Sequence, residues 1–220
     1  MRSPMPFMLL GLFTAGLVAA ASAADPAPAG FVALFNGRDL TGWSVLGGKK
    51  EVWGAENGVI FVSGENGGWL MTDREYGDFD LRLRFKLPVG GNSGVAIRAP
   101  FAGNPAYKGM EIQLLDDPWY KDAKNYKGIR PVQLTGAIYD VVAPSRDATR
   151  PAGEWSTIHI TAKGRRIIVE LNGVKTVDAN LDDHKDRAAE HGGLLRAAGR
   201  IGLQSHTGRV EFKDIYVKPL

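Results

Sequence analysis

The residues best suited to chemistry lie in one short segment, Glu111–Asp116, which contains two carboxylates and an amide. Side chains alternate between the faces of a β-strand, so Glu111 and Gln113 are predicted to share a face opposite the apolar residues between them. Strict alternation would turn Asp116 into the apolar layer. A β-bulge at Leu114–Leu115 would return Asp116 to the polar face, because one extra residue shifts the alternation. An ordinary amphipathic strand with a solvated face is the alternative.

Residues 90–98 and 199–206 repeat this pattern of one apolar row and one row of small and polar residues. Glycine weakens a strand interior, so its presence in the polar rows suggests close approach by a ligand or another backbone. We therefore predict that the three segments are neighbours on one concave sheet. The predicted concave face carries Asn92, Arg98, Glu111, Gln113, Asp116, Gln204 and His206. The predicted buried row is Val95, Ile97, Ile112, Leu114, Ile201 and Leu203.

The first 23 residues have the features of a cleavable secretory signal. Arg2 precedes an apolar run from Phe7 to Ala20, and Ala21-Ser22-Ala23 has the small residues of a cleavage site. The apolar run is shorter than the ~20 residues of a membrane span, so cleavage is expected rather than anchoring. The chain has no cysteine, which excludes disulfides and a lipidated N-terminal cysteine. A periplasmic or secreted protein, free of the membrane after cleavage, is predicted.

The remaining chain is predicted to form a disordered leader over residues 24–30 and a single domain over residues 31–220. Turn signals at Asn57-Gly58, Lys163-Gly164 and Asn172-Gly173 separate short alternating segments, which is typical of an all-β sandwich. Residues 132–142 also have strand composition, and residues 182–199 are the one stretch that suggests a short helix or long loop. The small net charge of +3, without a basic block, gives no indication of nucleic-acid binding.

The polar segment between residues 117 and 133 contains Trp119, Tyr120 and Tyr126, which are unusual in a loop. Such aromatic rings can stack on sugars, and they can equally hold the loop against the domain. Trp119 and Tyr120 are therefore candidates for substrate binding. His191 and the acidic residues near it match no metal-ligand spacing, so a solvated loop is predicted there.

The ordered segments LFNGRDLTGW, DFDLRLRFK, GGNSGVAIR, GMEIQLLD, TGAIY, GEW, LNGV, GRIGLQSH and VEFKDIYVKPL resemble the 3-keto-disaccharide hydrolase domain family over residues 31–220. The resemblance implies a concanavalin A-like jelly roll, built as a two-sheet antiparallel sandwich. It also implies action on glycosides oxidised to a ketone at sugar carbon 3. The spacing of Glu111, Gln113 and Asp116 is similar to the E-x-D-x-x-E strand of jelly-roll β-glucanases. Gln113 replaces the central acid, which argues against ordinary retaining glycosidase chemistry.

The implied chemistry starts from the ketone, which acidifies the proton on carbon 2. A base removes that proton, the leaving group departs from carbon 1 by elimination, and water adds back. Glu111 is the first candidate for the base and His206 for the acid, with the opposite assignment open. Arg98 suits the enolate oxygen or the sugar hydroxyls, and Asp116 could be an acid or an orienting group.

Asn92, Gln113 and Gln204 fit hydrogen bonding to sugar hydroxyls, because an amide both donates and accepts. A divalent metal such as calcium, held by Glu111, Asp116 and His206, could replace Arg98 as the electrophile. The expected partner is an oligosaccharide or glycoside. The alternatives to an enzyme are a lectin-like carbohydrate-binding module without catalysis and a structural or adhesion domain.

Overall fold

The computed structural model describes residues 27–220, and the predicted signal and the start of the leader lie outside these residues. Two antiparallel sheets pack face to face, as the all-β prediction requires. The larger sheet has eight strands: β1 (Val32–Ala33), β3 (Trp53–Glu56), β4 (Val59–Val62), β6 (Phe79–Lys86), β9 (Ser156–Lys163), β10 (Arg166–Leu171), β11 (Val174–Asn180) and β13 (Val210–Pro219). Its order is β11-β10-β9-β6-β13-β4-β3, with β1 paired to β13.

The smaller sheet has five strands: β2 (Trp43–Leu46), β5 (Trp69–Tyr76), β7 (Asn92–Ala99), β8 (Met110–Leu115) and β12 (Gly199–Gln204). Their order in the sheet is β2-β5-β12-β7-β8. The three segments predicted to be neighbours are therefore adjacent strands, β12, β7 and β8. The described helices are short: α1 (Pro105–Lys108), α2 (Asp117–Lys121) and 3-10 turns at Lys50–Val52, Pro131–Gln133, Leu181–Ala189 and Gly192–Leu195. No helix among residues 27–220 is long and apolar enough to cross a membrane.

The core lies between the two sheets and contains the whole row that the sequence predicted to be buried. Val95, Ile97, Ile112, Leu114, Ile201 and Leu203 are completely buried there. A second, smaller apolar cluster lies on the outer face of the five-stranded sheet, where α1 covers Ala96 and Ala99. Alternation along β7, β8 and β12 thus gives this sheet one core face and one outer face.

Hairpin predictions were correct, because β3–β4, β9–β10 and β10–β11 pair antiparallel at the predicted turns. The strand predicted at residues 132–142 was wrong. That segment forms a 3-10 turn and then runs beside β8, joined by bonds such as Tyr139 N–H to the Glu111 carbonyl at 2.9 Å. Residues 27–30 of the expected leader form a turn in which the Phe31 N–H donates to the Pro28 carbonyl at 2.9 Å.

Candidate active site

A polar cavity of about 210 Å³ opens on the outer face of the five-stranded sheet. Its lining residues are Asn92, Asn104, Ala106, Tyr107, Glu111, Gln113, Tyr139, Gln204 and His206. A larger groove of about 770 Å³ lies between β2 and β3, the edge strands of the two sheets. The charged residues of that groove are exposed, whereas the smaller cavity contains a buried carboxyl group. Chemistry is therefore better supported in the smaller cavity.

The floor of the cavity is set by the strand register. Gly94 on β7 lies opposite Gln113 on β8, and Ala96 lies between Glu111 on β8 and Gly202 on β12. The small residues of β7 therefore lie directly opposite the positions where β8 supplies polar side chains. The space above Gly94 is taken by the Glu111 carboxyl group and that above Gly202 by the Met71 sulfur, so these glycines admit neighbouring side chains, where the sequence suggested a ligand or another backbone.

Glu111 is buried to 3% exposure, and its Oε1 atom has no hydrogen-bond partner. Burial, with the negative charge of Asp140 adding to it, raises the pKa of Glu111 to about 8. The carboxyl group is therefore mostly protonated at neutral pH. Because an unpartnered buried oxygen is costly, this atom is poised to bond a ligand in the cavity.

The carboxyl group of Glu111 lies directly over Gly94. A methyl group built on Gly94 would overlap Oε1 and would come within 2.7 Å of Cδ and 2.8 Å of Cγ. Gly94→Ala is therefore expected to displace the carboxyl group and lower kcat/KM by about 10²-fold, the cost of roughly 1 Å of misplacement. Steady-state kinetics would measure the loss, with Gly192→Ala as a control, because Gly192 is exposed and a methyl group there would meet no atom within 4 Å. Full activity in Gly94→Ala would show that this carboxyl position is unimportant.

His206 lies on the other side of the cavity, two residues beyond the end of β12. Its Nδ1 atom is 2.8 Å from the Thr207 hydroxyl. Partial burial lowers the pKa of His206, while the charge of Glu65 acts weakly in the opposite direction. The imidazole is therefore mainly neutral at pH 7. His206 lies four residues past Gly202, which is level with Glu111 across Ala96. Because β7 separates β8 from β12, these two strands themselves are roughly 10 Å apart, at about 4.8 Å per strand.

Three amides complete the polar face, as the sequence predicted. The Gln113 Nε2 group donates to Asn92 Oδ1 over 3.4 Å, which holds both side chains beside the cavity. The Gln204 Oε1 atom is buried and has no partner in the described part of the chain. A hydroxyl group of a sugar could donate a hydrogen bond to this Gln204 oxygen.

Arg98 does not line the cavity, so its predicted position on the cavity face was wrong. Between Ala96 and Ala99, β7 has one residue more than the facing part of β12, and Arg98 adopts a positive φ of 49°. This irregularity turns the side chain away, where it is completely buried and contacts Asp78 at 2.9 Å. Its guanidinium also donates to the carbonyls of Gly77 and Gly164. The bulge that the sequence placed in β8 is thus in β7.

Asp116 is also separate from the cavity. The β7–β8 register is continuous through Leu115, so no bulge returns Asp116 to the polar face. Its Oδ2 atom instead accepts from the Gly90 N–H at 2.8 Å, and the residue precedes α2. The predicted metal ligands Glu111, Asp116 and His206 are therefore not assembled. Residues 27–220 contain no group of three His, Cys, Asp or Glu side chains placed to hold a metal.

The loop aromatics do not line the cavity. Trp119 packs edge to face on Tyr120 with ring centroids 4.8 Å apart, and it borders a separate surface groove. Tyr120 is buried, and its hydroxyl lies within hydrogen-bonding reach of Asn92 and Thr207. Tyr120 therefore supports the rim of the cavity from behind, while Trp119 holds the loop together. Binding of substrate by these two residues stays a prediction.

The sequence did not identify the tyrosines of the cavity, Tyr107 and Tyr139. Tyr107 lies on the four-residue helix α1, and Tyr139 lies in the irregular segment that was predicted as a strand. Their rings meet edge to face at 6.4 Å. Behind them His191 is buried against Tyr107 at 5.0 Å, although a solvated loop was predicted there. The sequence feature that could have revealed Tyr139 is the aromatic residue at the end of the TGAIY segment. Neither helix nor strand periodicity indicated the direction of its side chain.

The chain was compared with known proteins. Residues 30–218 match the sequence profile of the 3-keto-alpha-glucoside-1,2-lyase-like domain. A 3-keto-disaccharide hydrolase of Bacteroides thetaiotaomicron is 25% identical over 235 residues, covering 87% of this chain and 79% of the relative.

Solved structures agree with the fold. A crystal structure of a proposed glycosyl hydrolase from Parabacteroides distasonis superimposes with a TM-score of 0.73 at 29% identity, covering 87% of this chain and 94% of that one. A Bacillus subtilis protein of unknown function with a galectin-like fold superimposes with a TM-score of 0.55 at 10% identity, covering 81% and 90% of the two chains. The latter supports the fold alone. The jelly-roll prediction is confirmed.

Proposed function

We propose, because the chain belongs to the family of 3-keto-alpha-glucoside-1,2-lyase-like domains, that it cleaves the glycosidic bond of 3-keto-disaccharides. The names of this family and of the relative from Bacteroides thetaiotaomicron describe enzymes that act on glycosides. The proposed route is removal of the proton on carbon 2, elimination of the group on carbon 1 and addition of water, which together give net hydrolysis. The ketone is essential to this route, because it makes the carbon 2 proton acidic and accepts the electron pair as an enolate.

The observation that carries the proposal is the buried carboxyl group of Glu111, which has an unpartnered oxygen and faces His206 across a polar cavity. Two groups that exchange protons near neutral pH can supply the base and the acid of an elimination. A retaining glycosidase needs instead two carboxyl groups about 5–5.5 Å apart. In this cavity Glu111 is accompanied by Gln113, and Asp116 lies elsewhere, so a direct displacement is not supported.

Turnover should depend on oxidation of the substrate. We expect a 3-keto-disaccharide to be cleaved at least ~10³-fold faster than the unoxidised disaccharide, because without the ketone neither proton removal nor enolate stabilisation is available. Release of the free sugar from each substrate, followed by chromatography, measures the ratio. Equal rates on both sugars would contradict the elimination route. Tight binding of sugar without any turnover would favour the lectin-like module.

We also propose that the protein acts after export to the periplasm or the medium, with residues 1–23 as the cleaved signal. Mass spectrometry of the protein recovered from its native host is expected to find an N-terminus near Ala24. Recovery of the intact N-terminus from the cytoplasm would contradict export.

A further inference from the structure

The burial of Arg98 away from the cavity removes the cation that the sequence had assigned to the enolate oxygen. The proposed reaction still generates negative charge on the oxygen of carbon 3, and preorganised hydrogen-bond donors are the usual means of stabilising such a charge. The question is therefore which donors of this cavity stand together and can still offer a proton to a ligand.

Glu111 and Tyr107 meet this requirement on the β8 side of the cavity. Glu111 Oε1 is buried, unpartnered and held over Gly94, and the Glu111 side chain lines the cavity. Tyr107 lines the same cavity from α1, and it is close enough to Glu111 that ionisation of that carboxyl would raise the pKa of the Tyr107 hydroxyl.

Tyr139 positions both of these groups. Its backbone N–H donates to the Glu111 carbonyl at 2.9 Å, and its ring packs edge to face on Tyr107. The Tyr139 hydroxyl accepts from Gln133 Nε2 at 3.2 Å and is a hydrogen-bonding neighbour of the Tyr107 hydroxyl. A hydroxyl can accept while it donates, so the proton of Tyr107 can still reach a ligand.

We propose, resting on the proposed function, that the protonated carboxyl of Glu111 and the hydroxyl of Tyr107 together bind the oxygen on carbon 3, and that His206 removes the carbon 2 proton. The electron pair of the C2–H bond forms the C2–C3 double bond, and the carbonyl pair moves to the oxygen that the two donors hold. When the C1–O bond breaks, the enolate pair returns as the C1–C2 double bond and the ketone re-forms. The proton on His206 can then pass to the departing oxygen.

The protonation states of the cavity agree with these roles. Burial raises the pKa values of Tyr107 and Tyr139, so both keep their protons, and Glu111 with a pKa of about 8 keeps its own at neutral pH. His206 is neutral, as a base must be.

The charged and titratable neighbours of Glu111 also favour its protonated form. Tyr107 on α1, Tyr139 and Asp140 of the neighbouring segment face it, with His191 behind Tyr107. The Asp140 carboxylate is paired with Arg130, and Glu111 Oε1 has no partner among residues 27–220. A tyrosine and a protonated carboxylic acid acting together form an established type of oxyanion hole for enolates.

Variants of Glu111 separate a donor from a base. The amide of Glu111→Gln can donate a hydrogen bond but cannot remove a proton, so we expect carbon 2 exchange in deuterated water and turnover to stay within about tenfold of wild type. Glu111→Leu cannot donate, and both rates should fall by roughly 10²–10³. Tyr107→Phe should lower both rates by a similar factor, whereas Tyr126→Phe, a 44% exposed tyrosine outside the cavity, should change neither.

The pH dependence gives an independent readout. If Glu111 donates a hydrogen bond to the carbon 3 oxygen, wild-type turnover falls as the pH rises through about 8. Ionisation of Glu111 then removes a hydrogen-bond donor and places a negative charge beside the enolate. Glu111→Gln should remove that alkaline loss. If Glu111 is the base, turnover rises through the same range, and Glu111→Gln abolishes exchange at every pH.

Abolished exchange in Glu111→Gln with retained folding, or an exchange rate unchanged in Tyr107→Phe, would overturn the proposal while leaving the proposed function intact. The proposed function fails separately, when wild-type protein neither exchanges nor cleaves a 3-keto-disaccharide. Circular dichroism of each variant confirms that it is folded. If Glu111→Leu does not fold, Tyr107→Phe and the pH profile of Glu111→Gln still decide the outcome.

Discussion

Replacing His206 with glutamine is expected to abolish most of the proton exchange at carbon 2 and to lower turnover by roughly 10²–10⁴, the usual contribution of a general base. Glutamine keeps hydrogen-bonding capacity at the same position but cannot take up a proton. Because the imidazole lies at the rim of the cavity, on the far side from Glu111, its loss should leave the donors of the carbon 3 oxygen in place. Isotope exchange followed by NMR measures the base step directly, and product release measures the whole reaction.

His159→Gln is the matched control for this substitution. His159 lies on β9 of the other sheet, near Asp80 and Glu170, and it does not line the cavity. Its variant should exchange and cleave at the wild-type rate. Binding of the unoxidised disaccharide should persist in His206→Gln, because ground-state binding is separable from proton transfer. Normal exchange in His206→Gln would remove this residue from the base step.

Arg98→Met is expected to destabilise the domain by roughly 2–5 kcal/mol while leaving the kinetics of the folded fraction unchanged. The guanidinium is completely buried and donates to backbone carbonyls at Gly77 and Gly164, so its removal leaves acceptors without partners. It also removes the charge partner of Asp78, whose side chain is 37% exposed and therefore regains some hydration. Chemical denaturation measures the change in the free energy of unfolding.

Arg166→Met provides the comparison for Arg98. Arg166 is paired with Asp178, but its side chain is 63% exposed, and surface ion pairs contribute at most about 1 kcal/mol. The two substitutions remove the same group from a buried and from an exposed site. Equal stability changes would show that the carbonyl contacts of Arg98 are weak. A stable Arg98→Met protein that has lost turnover would return Arg98 to the reaction.

Alternation was enough to predict much of the site because it is a local property of a strand. Asn92, Glu111, Gln113, Gln204 and His206 were placed together from the two-residue period of three segments, and all five line one cavity. The rule fails where a strand gains a residue relative to its neighbour. Arg98 has the alternation of a site residue, but the extra residue in β7 turns it away, and no feature of the sequence indicates which strand is irregular.

The sequence by itself determined the all-β class, the hairpins, the buried row and, through its motifs, the family. These features depend on side-chain alternation, turn residues and order along the chain, which are local. Only the tertiary structure decided that Glu111 is buried without a partner, that Tyr107 and Tyr139 stand beside it, and that Arg98 and Asp116 do not. Burial, and with it the protonation state of a carboxyl group, depends on which distant segments pack together. The sequence identified the acid of this cavity, but its ionisation is set by the packing of α1 and residues 136–140 against β8.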